Sequence, residues 1–374
     1  MKIALFAAAF LGVFYLLNMY ISRRLIAHLD TKESYKKAFR WFLVINYLGI
    51  IGYMLARYYP GLDNTLYFLL SVPIGVLFLL FCTTLIYDLS RLMLRFTPLS
   101  PNRRRFFKRS LDLSSLVAAT ALSGTALYNA RHVELERVGI KLKGLKKEYK
   151  IIQLSDIHIG GLIDAAFIRE IVERVNQREP DLVVITGDLV DIELKYAHEA
   201  LSELQKLRST YGTFFVVGNH EYFHGVAAII DTLNKLDIRV LENENIYIGE
   251  LGSGFNLVGV YDVIGYRTQS YIPDIHKAIE GIKASPTILL AHQPRYIHEV
   301  PHSIDLMLSG HTHGGQLYPF RALVKLQQPY ISGLYQHTKD MQIYVNKGTG
   351  FWGPPMRLGA SSEITEITLY AEQI

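Results

Sequence analysis

The sequence predicts a layered α/β domain preceded by a four-helix transmembrane region, and three observations carry that prediction. Four long runs without a charged residue occupy most of the first 130 positions. From about Val133 the pattern changes to short apolar strands alternating with amphipathic helices, the alternation of an α/β fold. Five of those apolar runs then end in Asp, Asn or His. Half of the 374 residues are hydrophobic and mean hydropathy is +0.17, high for an ordinary soluble enzyme. The expected organisation is a membrane region of about four helices over 1–130 and a folded α/β domain over 131–374.

The charge-free runs are Ile3–Ile21, Trp41–Ala56, Asn64–Tyr87 and Leu113–Ala130. A membrane span needs about 20 predominantly apolar residues. The second run is short, but Arg40 and Arg57 flank it and their long side chains can reach the headgroups. Four such runs packed as buried helices of a globular domain would leave almost no polar surface. The loop after the first span carries Arg23, Arg24, Lys32, Lys36, Lys37 and Arg40, and the loop after the third carries Arg91, Arg95, Arg103, Arg104, Arg105, Lys108 and Arg109. Lys and Arg mark cytoplasmic loops. With an even number of spans, the N-terminus and residues 131–374 then lie outside the cytoplasmic (inner) membrane.

"SPNRRRFFKRS" (Ser100–Ser110) precedes the fourth run. It reads either as a plain cytoplasmic basic loop or as a twin-arginine export motif. The second reading makes the twin-arginine export machinery a partner and exports the domain already folded. "GTA" (Gly124–Ala126) would then offer a cleavage site.

Charge is divided unevenly. Residues 1–130 carry 15 Lys and Arg against 5 Asp and Glu, and residues 131–374 carry 24 against 29. The basic excess belongs to the membrane part, so no nucleic-acid partner is expected for the domain. The single cysteine, Cys82, excludes an intramolecular disulfide and a cysteine-based zinc site.

In the second part, "KIIQLSDIH", "DLVVITGD", "GTFFVVGNHE", "TILLAH" and "IDLMLSGHTH" read as strands. Helices are expected over Phe167–Pro180, over "AHEALSELQKLRS" and around Ala227–Leu236. The strands end in Asp156-Ile157-His158, Gly187-Asp188, Gly218-Asn219-His220-Glu221, His292 and Gly310-His311-Thr312-His313. Loops at the carboxyl ends of strands are where α/β folds build sites. These endings offer nitrogen and oxygen ligands that suit Mn, Fe, Zn or Ni rather than calcium. Glycines before Asp188, Asn219 and His311 let the backbone turn sharply there.

With these endings in this order, the chain resembles the calcineurin-like metallophosphoesterases. The motifs span Tyr149–Gly315, and the GHTHGGQ ending is typical of bacterial members that carry a twin-arginine signal. The resemblance implies a metallophosphoesterase sandwich of two mixed sheets flanked by helices, with two divalent metal ions. Carried over by position, Asp156, His158 and His313 bind the first metal, Asp188 bridges, and Asn219, His292 and His311 bind the second. His220 lies beside the substrate as the catalytic side chain. Glu221 stands where many relatives have Asp. The four spans are not part of the family's common pattern.

Two ions about 3.5–4 Å apart suit in-line hydrolysis of a P–O bond. The expected partner is a phosphate-ester substrate, with diesters slightly ahead of monoesters. His220 can stabilise phosphoryl charge or protonate the leaving oxygen. Asp191 is a candidate to orient a ligand or its loop, His224 to line the pocket, and Arg295 to meet phosphate oxygens. His198, His276, His298, His302 and His337 lack motif context. "GTGFWGPPMRLG" (Gly348–Gly359) reads equally as a closing loop on the core or as an apolar rim beside the site or the bilayer. "YPFRALVKLQQPYISGLY" (Tyr318–Tyr335) poses the same choice, and an apolar rim would favour a lipid-linked phosphate. Two alternatives stand beside this reading. One is a UDP-diacylglucosamine-type pyrophosphohydrolase, whose cytoplasmic substrate conflicts with the expected topology. The other is a non-catalytic metal-binding membrane sensor or interaction module, against which the full ligand set and His220 argue. The spans hold few charges to mark a transport pathway.

Overall fold

The computed structural model describes residues 2–56 and 62–371; Arg57, one of the two arginines flanking the second apolar run, lies outside them. The chain divides into a helical unit, Met1–Tyr128 with Gly353–Leu358, and an α/β unit, Asn129–Trp352 with Gly359–Ile374.

The helical unit holds α1 (Lys2–Arg24), α2 (Glu33–Ala56), α3 (Asn64–Phe96) and α4 (Pro101–Arg131). Four helices here are long and apolar enough to cross a membrane. Their buried faces meet around Ile21, Leu43, Ile50, Leu77 and Tyr87. The helices extend beyond the charge-free runs. α2 starts at Glu33, well before Trp41, and α4 starts at Pro101, so "RRRFFKR" is helix rather than loop. Lys and Arg are good helix formers, and proline suits the first helical position, where no N–H partner is needed. The Arg104 guanidinium also donates to the carbonyls of Leu94 (2.8 Å) and Thr97 (3.1 Å), which covers oxygens left unpaired where α3 ends. Lys108 reaches the buried carboxylate of Asp112, which also accepts from the Tyr87 hydroxyl and the Asp30 N–H. Arg109 pairs with Asp30 at 2.7 Å.

The α/β unit is a sandwich of two six-stranded sheets. The first contains β1 (Val133–Leu142), β2 (Tyr149–Leu154), β3 (Leu182–Ile185), β4 (Thr213–Phe215), β5 (Ile238–Val240) and β12 (Ser362–Ala371), in the order β1-β12-β2-β3-β4-β5. The second contains β6 (Glu244–Ile248), β7 (Phe255–Gly259), β8 (Thr287–Leu290), β9 (Leu306–Ser309), β10 (Gly333–Gln336) and β11 (Gln342–Val345), in the order β10-β11-β9-β8-β7-β6. Both sheets are mixed: β12 runs antiparallel to β2, β6 to β7 and β10 to β11, and the other pairs are parallel.

Side chains alternate across each strand. Ile151, Leu182, Val184 and Phe214 meet Leu257, Ile288, Leu290 and Leu308 between the sheets. Ile152, Leu154, Val183 and Ile185 face outward onto the helical layer. That layer is α5 (Ala165–Asn176), α6 (Leu194–Leu204), the short α7 (Glu221–His224) and α8 (Val226–Lys235). Short helical turns at Ile264–Thr268, Ile275–Ala278 and Pro294–Glu299 cover the other outer face, over Val258, Leu289, Met307 and Ile343. The helix expected to stop at Pro180 ends a few residues earlier, at Asn176. Glu179 takes φ +48°, and a residue before proline is disfavoured in helical geometry.

Register sets the strand ends level. Leu154 pairs with Ile185, Ile185 with Phe215, and Leu290 with Leu308. Five carboxyl ends therefore open onto one edge of the sandwich.

The sheets approach closely at Gly259. An added Cβ there would lie 2.3 Å from Leu241 Cβ and 2.8 Å from Val216 Cγ1. Gly259→Ala should lower the unfolding free energy of the detergent-solubilised chain by about 1–3 kcal/mol through overpacking, read by chemical denaturation. An unchanged midpoint would contradict this packing.

Candidate metal centre

Each predicted ligand sits just past a strand, and most have an uncommon backbone. Asp156, His158, Asp188, His311 and His313 have φ of +49°, +57°, +52°, +69° and +50°. The left-handed region is uncommon for residues other than glycine and tends to persist only where surrounding structure enforces it. The sequence led us to expect the sharp turns at the preceding glycines. Gly187 does have φ +85°, but Gly218 and Gly310 serve by leaving room. A Cβ on Gly218 would meet the Asp188 N at 2.4 Å, and one on Gly310 the Ser155 Oγ at 1.8 Å.

Backbone bonds enforce these turns. The Asp156, His158 and Ile159 N–H groups donate to the carbonyls of Gly187, Asp188 and Leu189 at 3.0, 3.1 and 2.7 Å, extending the contact of β2 and β3 past the sheet. The His311 N–H donates to both Asp156 oxygens, at 3.0 and 2.9 Å. Glu221 has a larger role than its place in "GNHE" revealed. Its buried carboxylate accepts from the backbone N–H groups of Gly218 (2.7 Å), Leu189 (2.8 Å), Asp188 (3.1 Å) and Val190 (3.2 Å). One side chain at the start of α7 thus locks the loops after β3 and β4 together.

Among the described residues the side chains gather into three trios, Asp156–His158–His313, Asp188–His292–His311 and His158–Asp191–His220, and within each trio the ligand-capable atoms lie within 4.8 Å of one another. In the first, His158 Nε2 faces His313 Nε2 at 3.0 Å, and His313 Nε2 lies 3.4 Å from Asp156 Oδ1. In the second, His292 Nε2 lies 3.1 Å from His311 Nδ1, 3.1 Å from Asp188 Oδ2 and 3.2 Å from Asn219 Oδ1. Two nitrogens bound to one ion at about 2.0–2.1 Å stand about 3.0–3.4 Å apart at tetrahedral or octahedral angles. These separations fit that geometry, and the donors are nitrogen and oxygen only. The arrangement could therefore hold two divalent cations.

The remaining ring nitrogens are held from behind. Asp191 Oδ1 lies 3.0 Å from His158 Nδ1 and 2.5 Å from His220 Nδ1, and His292 Nδ1 faces the Thr186 carbonyl at 2.7 Å. Such partners fix which nitrogen is left to face a metal. His220 Nε2 stands 3.8 Å from Asp188 Oδ2. The sequence raised Asp191 only as a candidate orienting group; the structure places it between two of the site's histidines. Arg295 is exposed and its N–H donates to Gln328. His224 is half-buried at the end of α7; His198, His276, His298 and His302 are exposed; and His337 bonds with Tyr330.

Burial and electrostatics divide the histidines. Burial lowers His220, but the Asp188 and Asp191 carboxylates outweigh it and push its pKa up to about 9. Burial, reinforced by His292, holds His311 down to about 3, so its imidazole is neutral, the form that binds metal. Burial raises Asp191, yet His158 and His220 hold it well below the usual carboxylate range. Burial lifts Asp262, beyond β7, to about 6.

Comparison with known proteins finds metallophosphoesterases. The calcineurin-like phosphoesterase profile matches residues 149–315. A metallophosphoesterase of Helicobacter pylori is 40% identical over 369 residues, covering 98% of each chain. A Campylobacter jejuni metallophosphoesterase is 34% identical over 98% of each chain. A bovine transmembrane protein with a metallophosphoesterase domain is 38% identical over 69% of this chain and 62% of its own.

Glu221→Gln should destabilise the metal-free chain by about 1–3 kcal/mol, since an amide cannot accept from all four donors; denaturation that matches the parent would refute the anchor. His220 has a folded pKa above its ordinary value, so its contribution is fully present below about 6.5 and disappears as pH rises through about 9. In the metal-free chain His220→Asn should therefore cost more stability at pH 6 than at pH 10. Equal losses at both would show that the carboxylates do not hold an imidazolium.

Proposed function

The chain belongs to the calcineurin-like phosphoesterase family, and on that premise we propose that it is a membrane-anchored phosphoesterase that hydrolyses P–O bonds with two divalent ions. The observation that carries the reading is a pair of nitrogen and oxygen trios, buried apart from the partly exposed His311, with a further histidine, His220, held beside them. Asp156, His158 and His313 hold one ion. Asn219, His292 and His311 hold the other, and Asp188 is shared between them. Such a pair neutralises phosphoryl charge and brings the pKa of water towards about 7.

The chain's own residues supply the rest. Asn219 is a ligand without charge, which leaves its ion more electrophilic. Asp191 holds Nδ1 of His158 and of His220, which leaves Nε2 of His158 for an ion and Nε2 of His220 for the substrate. His220 is placed to give a proton to the departing oxygen. A proton donor at the departing oxygen makes hydrolysis of diesters accessible, and this reading keeps diesters slightly ahead of monoesters. The donor set suits Mn, Fe, Zn or Ni.

In this reading 131–374 is the catalytic domain, and Lys and Arg placement puts it on the extracytoplasmic side of the inner membrane. Ser100–Ser110 serves as the twin-arginine element. The apolar surface near the site favours a lipid-linked phosphate.

The test is turnover of an unactivated alkyl phosphodiester, followed by product release, by the metal-loaded full chain. His220→Ala should keep both metals and lose about 100- to 10,000-fold in kcat, and Asp188→Asn should lose metal and turnover together. A His220→Ala chain that turns over like the parent would remove His220 from the chemistry.

A further inference from the structure

Tyr318–Leu326 leaves the metal loop directly after His313 and Gln316. Its apolar side chains point outward: Tyr318 is 53% exposed, Leu323 56% and Leu326 81%. The stretch is built against the site. Gly315 has φ +88°, and a Cβ there would lie 2.5 Å from the Arg321 Cα, so the helical turn Arg321–Val324 rests on the glycines that follow His313. Gln316 then bonds both ways with the Trp352 backbone, at 2.8 and 3.0 Å. The Trp352 ring lies edge-on to His220 at 6.0 Å and is 46% exposed. Phe223, 61% exposed, flanks the same imidazole at 6.1 Å. The mouth beside His220 is thus continuous with an exposed apolar rim.

Charge identifies what the rim meets. Residues 131–374 carry 24 Lys and Arg against 29 Asp and Glu, yet 306–339 contain no acid at all and carry Arg321, Lys325 and Lys339. Exposed apolar residues interleaved with cations, in an acid-free stretch, are the pattern of an element that lies in a membrane interface. Anionic headgroups attract such cations at close range. A water-soluble substrate gives no reason for either feature. The same chain carries four helices long and apolar enough to cross a bilayer, so a lipid surface is its permanent neighbour.

We propose that Tyr318–Leu326, together with Trp352, docks on an anionic phospholipid surface, so that an ester-linked phosphate on a lipid reaches His220 while its acyl chains stay in the bilayer. The substrate class rests on the phosphoesterase reading; the docking itself does not.

Trp41 and Trp352 are the only tryptophans, so Trp41→Phe leaves one reporter on the rim. The full Trp41→Phe chain, metal-loaded, is reconstituted in phosphatidylglycerol-containing vesicles with ordinary or brominated acyl chains. Trp352 emission should be quenched by the brominated lipid, and Leu323→Glu with Leu326→Glu should abolish the quenching. The same double variant should lower the ratio of lipid-borne to water-soluble diester turnover by about tenfold. Equal emission in the two vesicle types would overturn the docking, and an unchanged ratio would overturn delivery of a lipid-borne substrate to His220. Quenching with no turnover of either ester would uphold the docking and sink the phosphoesterase reading.

Discussion

The site depends on holding five non-glycine residues in left-handed backbone at the ends of strands. Each such residue costs about 1–3 kcal/mol, and five together approach the whole stability of an ordinary domain, about 5–15 kcal/mol. Asp156, His158, Asp188, His311 and His313 persist there because the fold over-determines them. β2 and β3 continue their contact past the sheet through three N–H groups. Asp156 grips the His311 N–H with both oxygens, tying the first sheet to the second across the mouth. Glu221 closes the remaining loops with four accepted bonds. These backbones bring the side chains of Asp156, His158, Asp188, His311 and His313 close to one another and to His292 at the strand ends.

That geometry sorts otherwise similar residues by role. Eight imidazole and carboxylate groups, Asp156, His158, Asp188, Asp191, His220, His292, His311 and His313, crowd together at one edge of the sandwich. His311 is neutral because it is buried beside another histidine. His220 is drawn toward protonation because two carboxylates face it. Asp191 belongs to neither trio of the proposed centre but reaches a histidine on each side. The difference between a neutral and a protonated histidine is therefore made by the groups around the rings rather than by residue type.

Much of this was legible in the sequence for a physical reason. Parallel strands end at one edge, so chemistry-bearing residues that follow apolar runs must converge there, and "SDIH", "TGD", "GNHE", "LAH" and "SGHTH" did. The four apolar helices were equally plain, because a charge-free run records burial in any apolar medium. What the local pattern hid was long-range. Glu221 has its role only when the backbone of 188–190, more than thirty positions earlier, is brought against it. The pairing of β1 with β12 joins residues more than 200 positions apart, and the mixed polarity of "VELERVGIKL" gives no sign of it. The helical start of α4 was hidden because a run of arginines looks like a loop until Pro101 opens a helix and Arg104 covers the end of another.

The central claim is that two nitrogen and oxygen trios on one edge of the sandwich hold a pair of ions. X-ray absorption at the metal edge of the purified full chain tests it most directly. The account predicts a first shell of nitrogen and oxygen at about 2.0–2.2 Å and a metal neighbour at about 3.5–4 Å. A folded protein whose bound metal has no metal neighbour, or that takes up no metal, would contradict it.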